Sequence, residues 1–525
     1  MHDLVIGIDS STTATKAIVW DRNGGVASEG RQAVLLATPR PGWAEQNPED
    51  WWTACAGAVR QALAGVAPDR IAAVAVANQR ETMVPVDEKG RPLRPAILWL
   101  DERCRDQLAR IERLFGASRI HRLTGKPVDV TPTVYRILWL QEHERDVAKR
   151  AARYLDVHAF LVQRLTGHCC TSLASADPMG LVDMEHGLWA ADLLEAIGLG
   201  EAHLPALAPP GVIIGVVTAA AAEATGLPKG TPVVAGGGDG QCAALGAGVT
   251  QPGRAYLNLG TALVSGLCAD RYAADPAFRT LYGCINGTFI YETVVRSGTY
   301  LVSWFVKHIL ALDGDRKAPP EDLLEAMAAA VPPGANGLMV VPYWLGSMMP
   351  HWDASARGVT LGWSPVHGRA HFYRAILEGL LFEQHAQMEA VEAASGLRVQ
   401  EHVLTGGGSR SIVWSQMAAD ISGCPAVRCR TFEATSLGAA ILAAAGAGLY
   451  PDVCSAVAAM STPGERLEPH PERARRYAVL YRVYRDVFPT MRPLVDHLSA
   501  LAGEDGSSAT TTGTSGSTKP ADPVS

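Results

Sequence analysis

The chain has 525 residues, of which 48% are hydrophobic and 19% charged, with a formal net charge of −7. Such a length exceeds one ordinary hydrophobic core and predicts two or more domains. An acidic balance with no concentrated Lys/Arg stretch argues against a nucleic-acid partner. Apolar runs such as VIIGVVTAAAA stop short of the roughly 20 residues of a membrane span, and MHDLVIGID has no basic region ahead of a long apolar segment, so neither membrane nor secretion is expected and the location is read as cytoplasmic. The ten cysteines contain no CxxC, which suggests neither zinc nor a redox pair and is read as free, buried thiols.

In chain order, LVIGID and KAIVW read as strands around a turn of hydroxyls, and a helix is predicted from Trp51 to Ala67. IAAVAVANQ (Ile71 to Gln79) and PAILWLDER (Pro95 to Arg103) are β-rich apolar runs with polar ends. A helical middle follows from Thr133 to about Gly167. TPVVAGGGDGQCAALGAG is a strand, a glycine turn and a small-residue helix, and RAYLNLGTALVSGLCA repeats the opening plan of strand, turn, strand. Residues from His371 to Ala394 have helical period with Gly396 as the stop. HVLTGGGSRSIVWSQMAADISG reads strand, turn, helix, and EATSLGAAILAAAGAG reads as a close-packing helix. Alternating strands and helices predict an α/β protein whose second half mirrors its first, divided near Thr250. After about Leu501 the sequence lacks aromatics and periodicity and is read as disordered.

Four constellations carry chemistry. In DSSTTATK, backbone N–H groups and the hydroxyls of Ser11, Thr12 and Thr13 suit phosphate oxygens, Lys16 adds a cation, and Asp9 suits a magnesium ion; the alternative is a hairpin whose Ser and Thr satisfy its own backbone. In GGGDG, Asp239 stands at a strand-to-helix junction where it can take a proton from an attacking hydroxyl, or else caps the helix. ANQRET places Arg80 and Glu81 at a strand end, with Trp99 on the next such run, as a polar pair and apolar wall for a polyhydroxylated ligand; a surface ion pair and a core tryptophan are the alternative. TGGGSRSIVWSQ can admit a purine and ribose against bare backbone, as can Gly438, or its glycines serve packing alone. His367 and His371, four apart with glycine between and no third ligand evident, are read as ordinary polar residues.

Together these blocks resemble the FGGY carbohydrate kinases of the actin, Hsp70 and sugar-kinase superfamily. DSSTTATK is similar to the first phosphate loop, and TVYRILWLQEH to the first signature, with Arg136 where lysine is usual. GGGDG is similar to the loop bearing the catalytic aspartate, ARGVTLGWSPVHGRAHFYRAILEGLLFE to the second signature, and TGGGSRSIVWSQMAAD to the adenosine motif. The resemblance implies two RNase H-like α/β domains around a central cleft, with sugar and the catalytic aspartate on residues 1–250 and ATP mostly on residues 251–500; residues 501–525 are the tail read from composition. It implies Asp239 as general base in contact with substrate and Asp9 as a Mg2+ and phosphate partner. Ser11, Thr12, Thr13, Lys16, Gly260 and Thr261 would contact phosphates, while Gly407, Gly408 and Ser411 would border the adenosine. GGGSRSIVWSQMAAD and MPHWDASARG resemble xylulokinases; NQRET, PGWAEQNPEDWW and AILWLDER resemble glycerol kinases, which makes Arg80, Glu81 and Trp99 substrate candidates. Thr131 and Gly240 stand where glycerol kinases have a tyrosine and a glutamine. The expected activity is ATP-dependent phosphorylation of a small sugar or polyol, with a ketopentose such as D-xylulose ahead of glycerol. A homodimer is kept open as the assembly, and an actin- or Hsp70-like nucleotide switch is the contrasting class.

Overall fold

A computed structural model describes residues 2–311, 321–353 and 355–508. The first domain is laid down by β1 (Leu4–Ser10), β2 (Ala14–Asp21) and β3 (Val26–Ala33), then α1 (Pro48–Leu63), β4 (Ile71–Asn78), α2 (Thr133–His143), β5 (Pro232–Gly238) and α3 (Asp239–Gly246). The second follows with β6 (Arg254–Leu259), β7 (Leu263–Ala269), β8 (Phe289–Val295), α4 (Arg369–Ser395), β9 (Glu401–Thr405), α5 (Ile412–Ser422), β10 (Ala426–Cys429), α6 (Ala434–Gly446) and α7 (Pro471–Ser508).

Each domain is built on one sheet, and the two sheets share a topology. The first runs β5-β4-β1-β2-β3, extended at the β5 edge by Ile213–Val216. The second runs β10-β9-β6-β7-β8, extended by Pro463–Leu467 and Arg279–Tyr282. In both, a hairpin pairs antiparallel with a third strand and parallel, on its other side, with the two strands that follow. β1 and β4 read as near-continuous apolar runs because helices cover both faces of the sheet at its centre.

Helix α1 begins earlier than periodicity alone indicates. Asn47 caps it by accepting from the Glu49 N–H, Pro48 pre-sets the first turn, and Trp51, Cys55, Ala58, Val59 and Ala62 form its buried stripe. The helical middle is interrupted by a strand, Arg153–Asp156, and only Ala96–Ile97 of the PAILWLDER run is strand. Helix α4 stops at Gly396, whose φ of 74° is the left-handed conformation that favours glycine. Helix α7 continues through Ser508, past the 501 boundary; the rest of the expected tail lies outside the described residues. All ten cysteines are free, but Cys454 is exposed and Cys169, Cys170, Cys424 and Cys429 are half-buried, so the expectation of ten buried thiols is corrected. Among the described residues no helix is long and apolar enough to cross a membrane.

Although α6 comes late in the chain, it seats on the first sheet. Three glycines make this possible: a Cβ on Gly7 would lie 1.9 Å from the Ser436 carbonyl oxygen, one on Gly438 1.9 Å from that of Cys242, and one on Gly246 2.0 Å from that of Ala434. Helices α3 and α6 therefore cross backbone against backbone, and a core cluster joins Val5, Ile18, Trp20 and Val234 to Leu437, Ile441 and Leu442. Gly438 borders α3, which corrects its reading as an opening for a purine.

Candidate active site

Asp9 lies near the end of β1 and Asp239 directly after β5, with β4 between these two parallel strands. In register, Asp9 stands opposite Ala77, and Ala77 opposite Gly237. At a strand spacing of about 4.8 Å, this puts the two backbones about 10 Å apart at the carboxyl edge of the sheet. Oδ1 of Asp9 is buried and has no hydrogen-bond partner in the protein. Burial first, and then the charge of Asp239, push the Asp9 carboxyl up to about 7; Lys16 acts in the opposite direction. An orphaned carboxylate oxygen beside a second carboxylate is a site short of positive charge. Its donors fit a magnesium ion, which Asp9 would hold. No cluster of three or more His, Cys, Asp or Glu side chains suited to a metal occurs among the described residues.

The β1–β2 turn uses its hydroxyls unequally. Ser11 closes the turn, its N–H and Oγ both donating to the Ala14 carbonyl, as the hairpin alternative requires. Thr12 Oγ1 donates to Gln79 Oε1 at 3.3 Å and accepts from the Trp99 indole N–H at 3.0 Å, while Thr13 is exposed. Trp99 is 41% exposed, so its ring stands at the rim and not in the core. Lys16 Nζ lies 2.7 Å from both carboxylate oxygens of Glu433, the residue before α6.

Behind this edge lies a chain of alternating charges. Arg80 Nε is 3.1 Å from Asp239 Oδ1, and Arg80 Nη1 is 3.0 Å from Glu292 Oε2. Arg279 joins Glu292 at 2.5 Å to Glu81 at 3.0 Å. Tyr256 donates its hydroxyl to Glu292 at 2.8 Å. Burial would raise the Glu292 carboxyl, but Arg279 and Arg80 outweigh it and hold the group at about 2. At Glu81, burial outweighs the arginines and the carboxyl is raised. Glu81 is also left-handed at φ 57°, with its carbonyl held by Thr133 Oγ1 at 2.8 Å and by Arg136. The fully buried Arg136 fork further donates to the carbonyls of Thr131, Trp99 and Asp101, tying the substrate-candidate loops to α2. Thr131 turns its hydroxyl to Asp129.

The base of β5 is secured from below. The strand slips register between Val234 and Gly237, and the displaced Gly236 N–H donates to His158 Nε2 at 3.1 Å. Burial holds His158 down at about 3, so the ring stays neutral and able to accept.

In the second domain, Gly260 and Thr261 form the β6–β7 turn, the counterpart of the hydroxyl turn. Their carbonyls accept from the Thr299 N–H at 2.7 Å and the Tyr300 N–H at 3.2 Å. After β9, a Cβ on Gly407 would meet nothing within 4 Å, whereas one on Gly408 would lie 2.4 Å from the Trp414 ring. Gly407 thus faces open space and Gly408 serves packing. Ser411 caps α5 by accepting from the Trp414 N–H at 3.0 Å and gives its own proton to Glu325. His367 lies ahead of α4, so it and His371 share no helical face; His371 Nδ1 accepts from the Gly368 N–H.

The structure brings Asp9, Asp239, Arg80, Thr12 and Trp99 to one edge and places Gly260, Thr261 and Gly407 on the second domain. Sequence reasoning did not identify Glu292, Arg279, Tyr256 and Glu433. No local motif marks them, and their partners are 13 to 417 positions away.

Known proteins match both halves. The N-terminal domain of the FGGY family of carbohydrate kinases matches residues 4–246, and the C-terminal domain of that family matches residues 255–447. A xylulose kinase of Bacillus subtilis is 30% identical, covering 93% of this chain and 97% of its own. The crystal structure of xylulose kinase from Rhodospirillum rubrum superposes with a TM-score of 0.87 at 29% identity, covering 94% of this chain and all of that one. Plasmodium falciparum glycerol kinase with ADP shares the fold, with a TM-score of 0.84 at 20% identity over 92% of this chain and 97% of that one. With both family domains covering most of its length, the chain belongs to the FGGY carbohydrate kinases, two-domain enzymes of the actin- and Hsp70-like ATPase fold that transfer phosphate to an alcohol.

Proposed function

We propose that the protein phosphorylates a hydroxyl of a ketopentose, D-xylulose, with ATP. The reading is carried by the convergence of Asp9 and Asp239 on one sheet edge, with the second domain's glycine turns available for the nucleotide. Whole-length likeness to xylulose kinases directs the choice of sugar. Membership in a family of carbohydrate kinases sets the nucleotide-switch class aside.

In this scheme Asp239 is the general base. Its Oδ1 is held by Arg80 and by the Gly240 N–H at 2.7 Å, which leaves Oδ2 to accept the proton of the attacking hydroxyl. Because the transition state of phosphoryl transfer is loose, the remaining work is alignment and charge neutralisation. Asp9 would hold a magnesium ion, whose charge would neutralise that of the phosphates. The turns at Thr12–Thr13 and Gly260–Thr261 face the phosphates from the two domains, Lys16 supplies a cation, and Gly407 borders the adenosine. Trp99 stands at the rim where the sugar enters, in front of Arg80 and Glu81, whose charges are held by Glu292 and Arg279.

A short polyol such as glycerol is the second reading, favoured by the Arg80–Glu81–Trp99 set itself. Against it, both charged members are already paired with protein groups, and Thr131 offers no aromatic wall. A coupled assay of ADP release over ketopentoses, gluconate and glycerol tests the choice. D-xylulose is expected to give the highest kcat/KM; background rates with it and turnover of glycerol would transfer the assignment to the polyol.

A further inference from the structure

The buried charges at the domain boundary are more than a pair of salt bridges. Glu292, on β8 of the second domain, has a fully buried side chain. Its carboxylate receives Arg80 Nη1 at 3.0 and 3.2 Å, Arg279 Nε at 2.6 Å and the Tyr256 hydroxyl at 2.8 Å. Arg80 then spends its Nε on Asp239. The series Glu81, Arg279, Glu292, Arg80, Asp239 therefore crosses between domains twice and ends on the base.

Local sequence makes room for this arrangement. A Cβ on Gly238 would lie 2.7 Å from both Cγ and Cδ of Arg80. One on Gly240 would stand 3.4 Å from the Arg80 guanidinium carbon and from Glu292 Oε2. The glycines on either side of Asp239 thus form the seat of the arginine. Gly240, the departure from the glutamine of glycerol kinases, lies where the guanidinium and the second domain's carboxylate meet.

An arginine on a flexible stem beside a carboxylate that is 41% exposed would sample many rotamers. Glu292 removes that freedom by fixing the opposite edge of the fork. Burying so many charges is a poor route to stability, because desolvation offsets much of their attraction. Their arrangement is better explained by geometry at the reacting end. We propose that Glu292 is a positioning residue which, through Arg80, aims Asp239 at the acceptor hydroxyl, so that the base is set only when the second domain stands at this distance from the first. Alignment of the base is thereby tied to the position of the nucleotide-carrying domain. The inference rests on the reading of Asp239 as the base.

The test is a double-mutant cycle on the full chain with MgATP and D-xylulose, or the best acceptor of the panel if the wild type does not turn that sugar over. Glu292→Gln is expected to lower kcat about 10- to 100-fold with the KM for ATP changed less than about threefold. In an Arg80→Ala background the same substitution is expected to change kcat by less than about threefold, since the intermediary is gone. Equal losses in both backgrounds would show a merely structural role and overturn the proposal, as would an unchanged kcat in Glu292→Gln. Should Glu292→Gln fail to fold, Tyr256→Phe removes one hydrogen bond, given by a neutral donor, from the same carboxylate. Its expected kcat loss of about threefold must likewise vanish without Arg80, and a loss that persists overturns the proposal. Asp239→Asn, run alongside, separates the two readings: retained turnover there defeats the general base itself, whatever Glu292 does.

Discussion

Lys16 of the hydroxyl turn and Glu433 at the start of α6 form a 2.7 Å ion pair, each side chain about 30% exposed. In the proposed scheme a triphosphate arriving at the turn would compete with Glu433 for this lysine. Glu433→Gln is therefore expected to lower the KM for ATP by up to about fivefold, the factor that roughly 1 kcal/mol supplies. Titration with ATP at saturating sugar checks it, and a higher KM would place Lys16 outside the nucleotide site.

Asp239→Asn keeps the shape of the side chain and its contact with the Gly240 N–H but can no longer take a proton. Turnover is expected to fall about 10²- to 10⁴-fold while the dissociation constant for ATP, measured by calorimetry, stays within about threefold. Comparable losses of both would assign Asp239 to nucleotide binding.

Asp9 predicts a pH-dependent stability. Its carboxyl is raised to about 7 in the folded protein from 3.8 in the unfolded chain. Between those values the folded state holds a proton that the unfolded state has released, so stability falls as pH rises from about 4 to about 7 and is lowest above it. Without nucleotide and with chelator present, Asp9→Asn is expected to raise Tm by a few degrees at pH 8 and little at pH 4.5, and to abolish the stabilisation given by MgATP. An equal shift at both pH values would show that the carboxylate is satisfied in the apo protein.

Arg136 gathers the carbonyls of Glu81, Trp99, Asp101 and Thr131, four oxygens from three loops. Arg136→Met removes this donor from all four, leaving Glu81 its bond from Thr133 Oγ1, and is expected to cost about 2–4 kcal/mol in urea unfolding. Arg136→Lys, a point donor in place of a fork, is expected to fold but to raise the sugar KM. A Met variant as stable as wild type would mean that water replaces the guanidinium.

Local signals carried most of the fold. The strand-turn-strand pairs at Leu4 to Trp20 and Arg254 to Ala269 announce themselves through apolar runs broken by Gly, Ser and Thr, and both became the hairpins expected. Asp9 and Asp239 were legible as candidates because each stands at the end of an apolar strand beside a turn. The PAILWLDER run misled because burial, and not pairing, explains its apolar residues: Leu98 is buried outside any strand. Glu292 and Arg279 escaped for a different reason. Each sits in an ordinary strand of the second domain, and only folding brings it to Arg80 and Glu81, about two hundred positions away. Gly438 was misjudged because a helix-borne glycine serves a ligand or a neighbouring backbone equally well until that neighbour is known.

The seating of α6 has a consequence for biosynthesis. Ser436 Oγ donates to the Gly7 carbonyl at 2.9 Å across 429 positions, and Trp20 donates its indole N–H to the same hydroxyl. One face of the opening sheet is thus finished by residues made more than four hundred positions later. During translation, Val5, Ile18 and Trp20 lack the cover of α6 until that helix has emerged, and a nascent chain stalled before it presents that greasy face to chaperones.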